Sequence, residues 1–310
     1  MSKKQEDTIR SKSPKSPLPI QEDLLTEKEF LEQYRSSDYE KPSVTVDIAL
    51  FTVDEEASGN HRKNEEKKLK LLLMRREHHP FKERWALPGS FVGMEEDLED
   101  AARRIMKEKT AVPTAYLDQL YAWGEKERDP RLRIISVSYL ALLRQGCLSL
   151  PGDKASLCWF DIDMKRLSNS SSHTDRGEEI RQVDVLCFTC EKNSFEVHVE
   201  TRIILEEGIV RRSMHILKDE YLAFDHAKII AHALQRLRQR IEYDNIAFCL
   251  MPEEFTLTQL QQVYELILDQ KLLKANFRRK IASMVEETDN YKKDAAHRPS
   301  RLYRFVNRFS

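Results

Sequence analysis

Hydrophobic and polar positions along the chain change period several times, and each change marks an element. SVTVDIALFTVDEE (43–56) alternates apolar and polar side chains in the two-residue rhythm of a strand. KLKLLLMRRE (68–77) takes that rhythm up again after the polar loop ASGNHRKNEEK. WALPGSFV (85–92) is broken by Pro88 and Gly89, which predicts a turn between strands. EEDLEDAARRIMKEKTAV (95–112) switches to helical spacing: acids crowd its first turn, and Leu98, Ala101, Ala102, Ile105 and Met106 form one apolar stripe. LDQLYAWGE and RIISVSYLALL follow as strands, with SLCWFDID as a short one. Strands, a helix and more strands predict a sheet with helices packed against it.

Further along, VDVLCFTC, FEVHVETRII and IVRRSMHIL read as strands of a meander extending that sheet. Tyr221 to Glu242 is helical in period, and so are Thr256–Leu268, with Thr256 as N-cap, and Leu273–Val285. Leu273, Phe277 and Ile281 recur every four residues and are expected to face a core. EETDNYKKDAAHRPSRLYRFV predicts a hairpin with a polar tip. Residues 20–40 hold one short amphipathic helix, and Met1 to Pro19, rich in Lys, Ser and Pro, reads as a disordered tail.

Composition narrows the class. A chain of 310 residues can bury two cores, and 40% hydrophobic with 33% charged residues describes a soluble globular protein. The net charge of -1 says nothing about a partner, but its distribution does. From Lys271 onward eleven Lys and Arg face four acids, a local excess of +7 that points to a polyanion site. No apolar run reaches membrane-spanning length, and nothing resembles a signal peptide. Five scattered cysteines point to a reducing cytoplasm. Cys187 and Cys190 form a lone CxxC inside an apolar run, which reads as strand rather than as half a zinc site.

The segment 85–112 carries the first chemistry. Its frame resembles the Nudix box, in which Gly, Glu, an Arg-Glu pair and a Glu-Glu pair are set at fixed spacing. On this chain the box positions fall on Ser90, Glu96, Arg104, Ile105, Glu108, Lys109 and Ala111. In a helix 105, 108 and 109 share one face, where a working Nudix enzyme presents carboxylates to a divalent metal. Ile105 offers no ligand atom and Lys109 brings an ammonium to the place of a cation. No catalytic residue is therefore expected, no cofactor is required, and Glu108 is the one weak candidate for a metal ligand. Lys109 could instead pair with a bound diphosphate.

LYAWGEKERDPRLRIISVSYLAL, together with WALPGSFV and LAFDHAKII, resembles the Nudix-related transcriptional regulators of NAD metabolism. The resemblance covers about residues 41–160 and 221–305. It implies the α/β class: a Nudix-type α/β/α sandwich (41–220, with an extra strand-rich segment at about 165–218) behind a flexible segment 1–40. A winged-helix domain (221–310) follows. It further implies that the first domain senses ADP-ribose or a related nucleotide. Arg84, Phe91, Lys109, Arg128, Arg131 and Arg133 are the expected effector residues, since arginine forks suit phosphate oxygens. The alternative is that Asp129 and the arginines only brace a loop.

The helices 256–268 and 273–285 resemble a helix-turn-helix. Lys274, Asn276, Arg278, Arg279 and Lys280 cluster on the second, and Lys292, Lys293, His297, Arg298 and Arg301 would project from the wing. Asn and Arg can read base edges, whereas Lys mostly meets phosphate. The expected partners are double-stranded DNA, the nucleotide effector and a second copy of the chain, with no membrane. The competing reading is a magnesium-dependent Nudix hydrolase of nucleoside diphosphate derivatives, resembling an ADP-ribose pyrophosphatase. A third is an adaptor whose winged helix binds no nucleic acid.

Overall fold

The computed structural model describes residues 26–35, 37, 39–55, 67–110, 116–146, 156–174, 177–191, 193–292 and 299–306. Met1–Lys41 and Pro42–Ser310 are separate units. The described part of the first contains the short helix α1 (Glu27–Gln33), whose N-cap Thr26 and Glu29 complete a reciprocal capping box.

The second unit is built on one sheet, formed by β1 (Ser43–Glu55), β2 (Lys67–Arg75), β3 (Trp85–Ala86), β4 (Gly89–Phe91), β5 (Tyr116–Trp123), β6 (Ile134–Leu142), β7 (Leu157–Thr174), β8 (Gly177–Cys190), β9 (Asn193–Glu206) and β10 (Ile209–Lys218). The order is β10-β9-β8-β7-β2-β1-β6-β5, with β3 on β2 and β4 on β1. Among these pairings β1 and β6 run parallel and the rest antiparallel.

The alternation in β1 explains the layers. Val46, Ile48 and Leu50 turn to one face and pack with Ala101, Ala102, Ile105 and Met106 beneath α2 (Leu98–Ile105). Ala49, Phe51 and Val53 turn to the other face and join a core containing Ile230, Leu234 and Leu237 of α3 (His226–Tyr243). Helices thus cover both faces of the sheet, as the sandwich expectation requires.

That second core continues without a break into the C-terminal elements: α4 (Leu257–Leu268), α5 (Lys274–Ile281) and the hairpin β11 (Val285–Lys292)–β12 (Ser300–Phe305). Phe255, Leu260, Val263, Tyr264, Phe277 and Ile281 are all buried in it. Thr256 caps α4 as predicted, accepting from the Gln259 amide while the Gln259 side chain accepts from the Thr256 amide.

Four expectations change. The helix predicted over 95–112 is α2 followed by a wider π turn, Met106–Thr110. The short strand at 156–163 is the first half of β7, which runs on through the polar stretch to Thr174 because β8 pairs with it from Asp161 to Thr174. The predicted helix from Tyr221 begins at His226, since 221–223 instead bridges to Trp85, with the Ala223 amide donating to the Trp85 carbonyl at 2.8 Å. The helix predicted over 273–285 stops at Ile281, and Leu273 stands outside it at the N-cap, 73% exposed rather than in the core. The meander itself is as expected, with Cys187 and Cys190 in β8. The hairpin is as expected too; Lys293, His297 and Arg298 lie outside the described residues. Among the described residues no helix is long and apolar enough to cross a membrane.

Candidate functional site

A cavity of about 680 Å³ opens where β1, β2 and β4 meet the end of α2, the loop after β5 and the segment leading into α3. Phe91, Glu108, Lys109, Arg128 and Arg131 line it, as does Asp47 on its floor. Arg84 and Arg133 do not. Arg84 donates to the Leu222 carbonyl at 3.3 Å, and Arg133 to the Glu125 carbonyl at 3.0 Å.

The box residues part company at the π turn. Glu108 and Lys109 sit on the π turn that follows Ile105. Ile105 is fully buried under the helix and faces the sheet, whereas Glu108 and Lys109 reach the cavity. Lys109 Nζ donates to the Gly89 carbonyl. Burial pushes its pKa down, as do Arg76 and Arg104, while Asp47 and Glu108 oppose them. Gly89 is required here: an added Cβ would sit 2.1 Å from Asp47 Oδ1 and 2.9 Å from the Val46 carbonyl oxygen.

The two surviving box carboxylates are already engaged. Arg104 donates to Glu96 through Nε (2.9 Å) and Nη2 (2.6 Å) and to Glu108 through Nη1 (3.3 Å). The Arg104 hydrogen bond, helped by the Gly93 amide, holds Glu96 down at about 2. Such a group stays ionised in the folded protein and cannot act as a general acid. A divalent metal would need several hard oxygen ligands converging on one point. Here the box offers a buried hydrocarbon, an ammonium and two carboxylates bound to one guanidinium, a set that does not fit magnesium.

The opposite wall is cationic and aromatic. Arg76, which the sequence reading missed, lies with its guanidinium 4.8 Å from the Phe224 ring centre, and Arg131 flanks the same ring at 5.9 Å and Phe91 at 5.8 Å. Burial and the charge of Arg131 lower the Arg76 pKa. Phe81 packs edge-on against Phe224 at 4.8 Å. Phe81 (φ 59), Glu83 (φ 70) and Phe224 (φ 56) all hold left-handed backbone, which costs a non-glycine residue and persists only where packing dictates it. No local motif marks Arg76 in the sequence, because its place depends on contact with a residue 148 positions away.

Arg128 turns out to be a brace. Its Nε (3.0 Å) and Nη2 (2.7 Å) both go to Asp225, with Asp47 Oδ2 a further 3.6 Å from Nη2. Asp129 likewise holds Arg131 through Nε (3.0 Å) and Nη2 (2.7 Å). Beside them His226 is buried and accepts from the Leu87 amide at Nδ1 (2.9 Å), so its proton sits on Nε2, 3.6 Å from Asp47 Oδ1. Burial lowers its pKa and keeps it neutral.

A second surface lies on α5. Lys274, Asn276, Arg278, Arg279 and Lys280 are all exposed on it. Asn276 Oδ1 accepts from Arg279 at 3.3 Å, and the Lys280 ammonium lies 5.3 Å from the Tyr264 ring centre. On the described part of the hairpin, Arg301 is held by Glu287 and Tyr291, and Arg304 by Glu286. Lys292 ends β11 beside the tip.

Fold and site together define a Nudix-type domain fused to a winged helix. The NUDIX domain family matches residues 30–176, and the NrtR DNA-binding winged helix domain matches 247–305. The chain is 32% identical over 93% of its length to the ADPR responsive transcriptional repressor NtrR of Acinetobacter baylyi, covering 92% of that protein. A MutT/nudix family protein from Enterococcus faecalis superposes with a TM-score of 0.65 at 28% identity, covering 92% of this chain and 96% of that one. NrtR of Shewanella oneidensis, solved with a 27mer DNA, gives 0.57 at 26% identity, covering 85% and 93%. The chain belongs to the NrtR family.

Proposed function

We propose that this protein is a transcriptional repressor that binds double-stranded DNA through α5 and its wing, and binds ADP-ribose or a related nucleotide in the cavity without cleaving it. One observation carries the reading: the cavity presents Lys109 at a box position where a hydrolase holds a carboxylate for metal, with Arg76 and Arg131 on the wall opposite. Three cations suit a diphosphate, and Phe91, 44% exposed at the rim, offers a face for a base or sugar. No metal is required for such binding. The protein acts in the cytoplasm as a homodimer, whose two-fold symmetry matches a palindromic site.

On α5, Asn276 and the arginines would meet base edges while Lys274 and Lys280 meet phosphates. The test is a gel-shift series over salt with duplexes selected by the full chain from a randomised pool, with and without ADP-ribose. Binding that weakens steeply with salt and changes with ADP-ribose is expected. Absence of binding at low salt, or binding indifferent to salt, would contradict it.

Glu108 at the cavity mouth favours a second reading, residual hydrolysis. AMP release with magnesium that disappears in Glu108→Gln would establish it.

A further inference from the structure

We infer that α3 is the lever carrying effector occupancy to the winged helix, with Arg238 as the positioning residue that couples the two; the inference rests on the effector reading above.

The pocket end of α3 is fixed to two residues of the cavity wall, Arg128 and Leu87, and to Glu125 in the loop after β5. Asp225 occupies the N-cap but makes no cap bond to its own helix, because both carboxylate oxygens accept from Arg128. A favoured capping residue is thereby diverted to the wall. His226 is bound to the Leu87 amide, and Lys228 Nζ reaches both oxygens of Glu125 at 2.7 Å. Phe224, one residue before this cluster, is itself part of the cavity lining. A nucleotide drawn in by Arg76 and Arg131 therefore presses on the segment that starts the helix.

Three turns further along, α3 is fixed to the winged helix. Arg238 donates from Nε to the Ile267 carbonyl (3.0 Å) and from Nη2 to the Met164 carbonyl (2.9 Å). Ile267 is in the last turn of α4, where carbonyls have no partner within their own helix. One guanidinium thus ties α3, α4 and β7 together. From His226 to Arg238 the helix rises over twelve residues, about 18 Å, and α3 as a whole carries ten buried residues. It cannot bend cheaply, so displacement at one end reaches the other. A groove of about 1040 Å³, lined by Met164, Arg238, Glu265 and Ile267, runs along the α4 seam beside this clasp and leaves α4 room to shift against the sheet.

Arg238→Met keeps the apolar stem and removes both hydrogen bonds. In the full chain, ADP-ribose affinity by calorimetry and affinity for a pool-selected duplex, each measured alone, should stay within about threefold of wild type. The coupling factor, the ratio of duplex affinities with and without saturating ADP-ribose, should fall at least fivefold towards one. Hydrogen exchange of the wild-type chain gives an independent reading: ADP-ribose should alter exchange in both 226–243 and 263–268, and in Arg238→Met only in the first. A coupling factor unchanged in the folded variant, or exchange effects confined to the cavity wall in the wild type, would overturn the lever. A wild-type chain that binds no ADP-ribose would instead defeat the effector reading itself, and with it the lever.

Discussion

At the scale of single residues the site turns on who holds the box carboxylates. Arg104 binds Glu96 and Glu108 at once, and Lys109 occupies the cavity with its ammonium on the Gly89 carbonyl. Lys109→Glu should weaken ADP-ribose binding at least about tenfold by calorimetry, a loss of about 1.4 kcal/mol. Unchanged affinity would show that the diphosphate lies elsewhere. Gly89→Ala forces a methyl against Asp47 and the Val46 carbonyl, so thermal melting should drop by several degrees, the cost of about 1–3 kcal/mol usual for overpacking. The exchange of acids for Ile105 and Lys109 was legible in the sequence. Arg76 was not, because an arginine at the end of a strand carries no periodic signal and its aromatic partner comes from the far side of the fold.

Elements were legible where side-chain period and tertiary context agree. The strands β1 and β2 and the N-cap of α4 follow directly from alternation and from Thr256; the Gln259 half of its capping box is seen only in the structure. Thr256→Ala should therefore cost about 1 kcal/mol in urea unfolding. Context prevailed in β7, whose polar half pairs with β8, and after Ile105, where the helix widens into a π turn. On α3, burial first, with Arg212 and Arg236 adding to it, pushes the His232 pKa from 6.5 down to about 4. The unfolded chain takes up that proton first, so this histidine contributes no penalty above pH 6.5 and removes stability as pH falls towards 4. Comparing unfolding free energies at pH 7 and pH 5, the loss should be smaller in His232→Gln than in wild type; an equal loss would contradict the shift.

At the scale of the whole molecule, sheet and winged helix share one core, and the cavity wall and α3 share one chain segment. The charge excess after Lys271 foretold a polyanion surface; among the described residues the hairpin pairs Arg301 and Arg304 with its own acids, while the basic residues of α5 are exposed. Sequence patterns could not show this, since cross-strand ion pairs depend on register. The central claim is that recognition in this cavity has outlived cleavage. Its most direct test is calorimetric titration of the full chain with ADP-ribose in EDTA and again in magnesium, with AMP assayed afterwards. Saturable binding of equal affinity in both, with no AMP formed, is the predicted result. Binding that appears only with magnesium and ends in AMP would contradict the account.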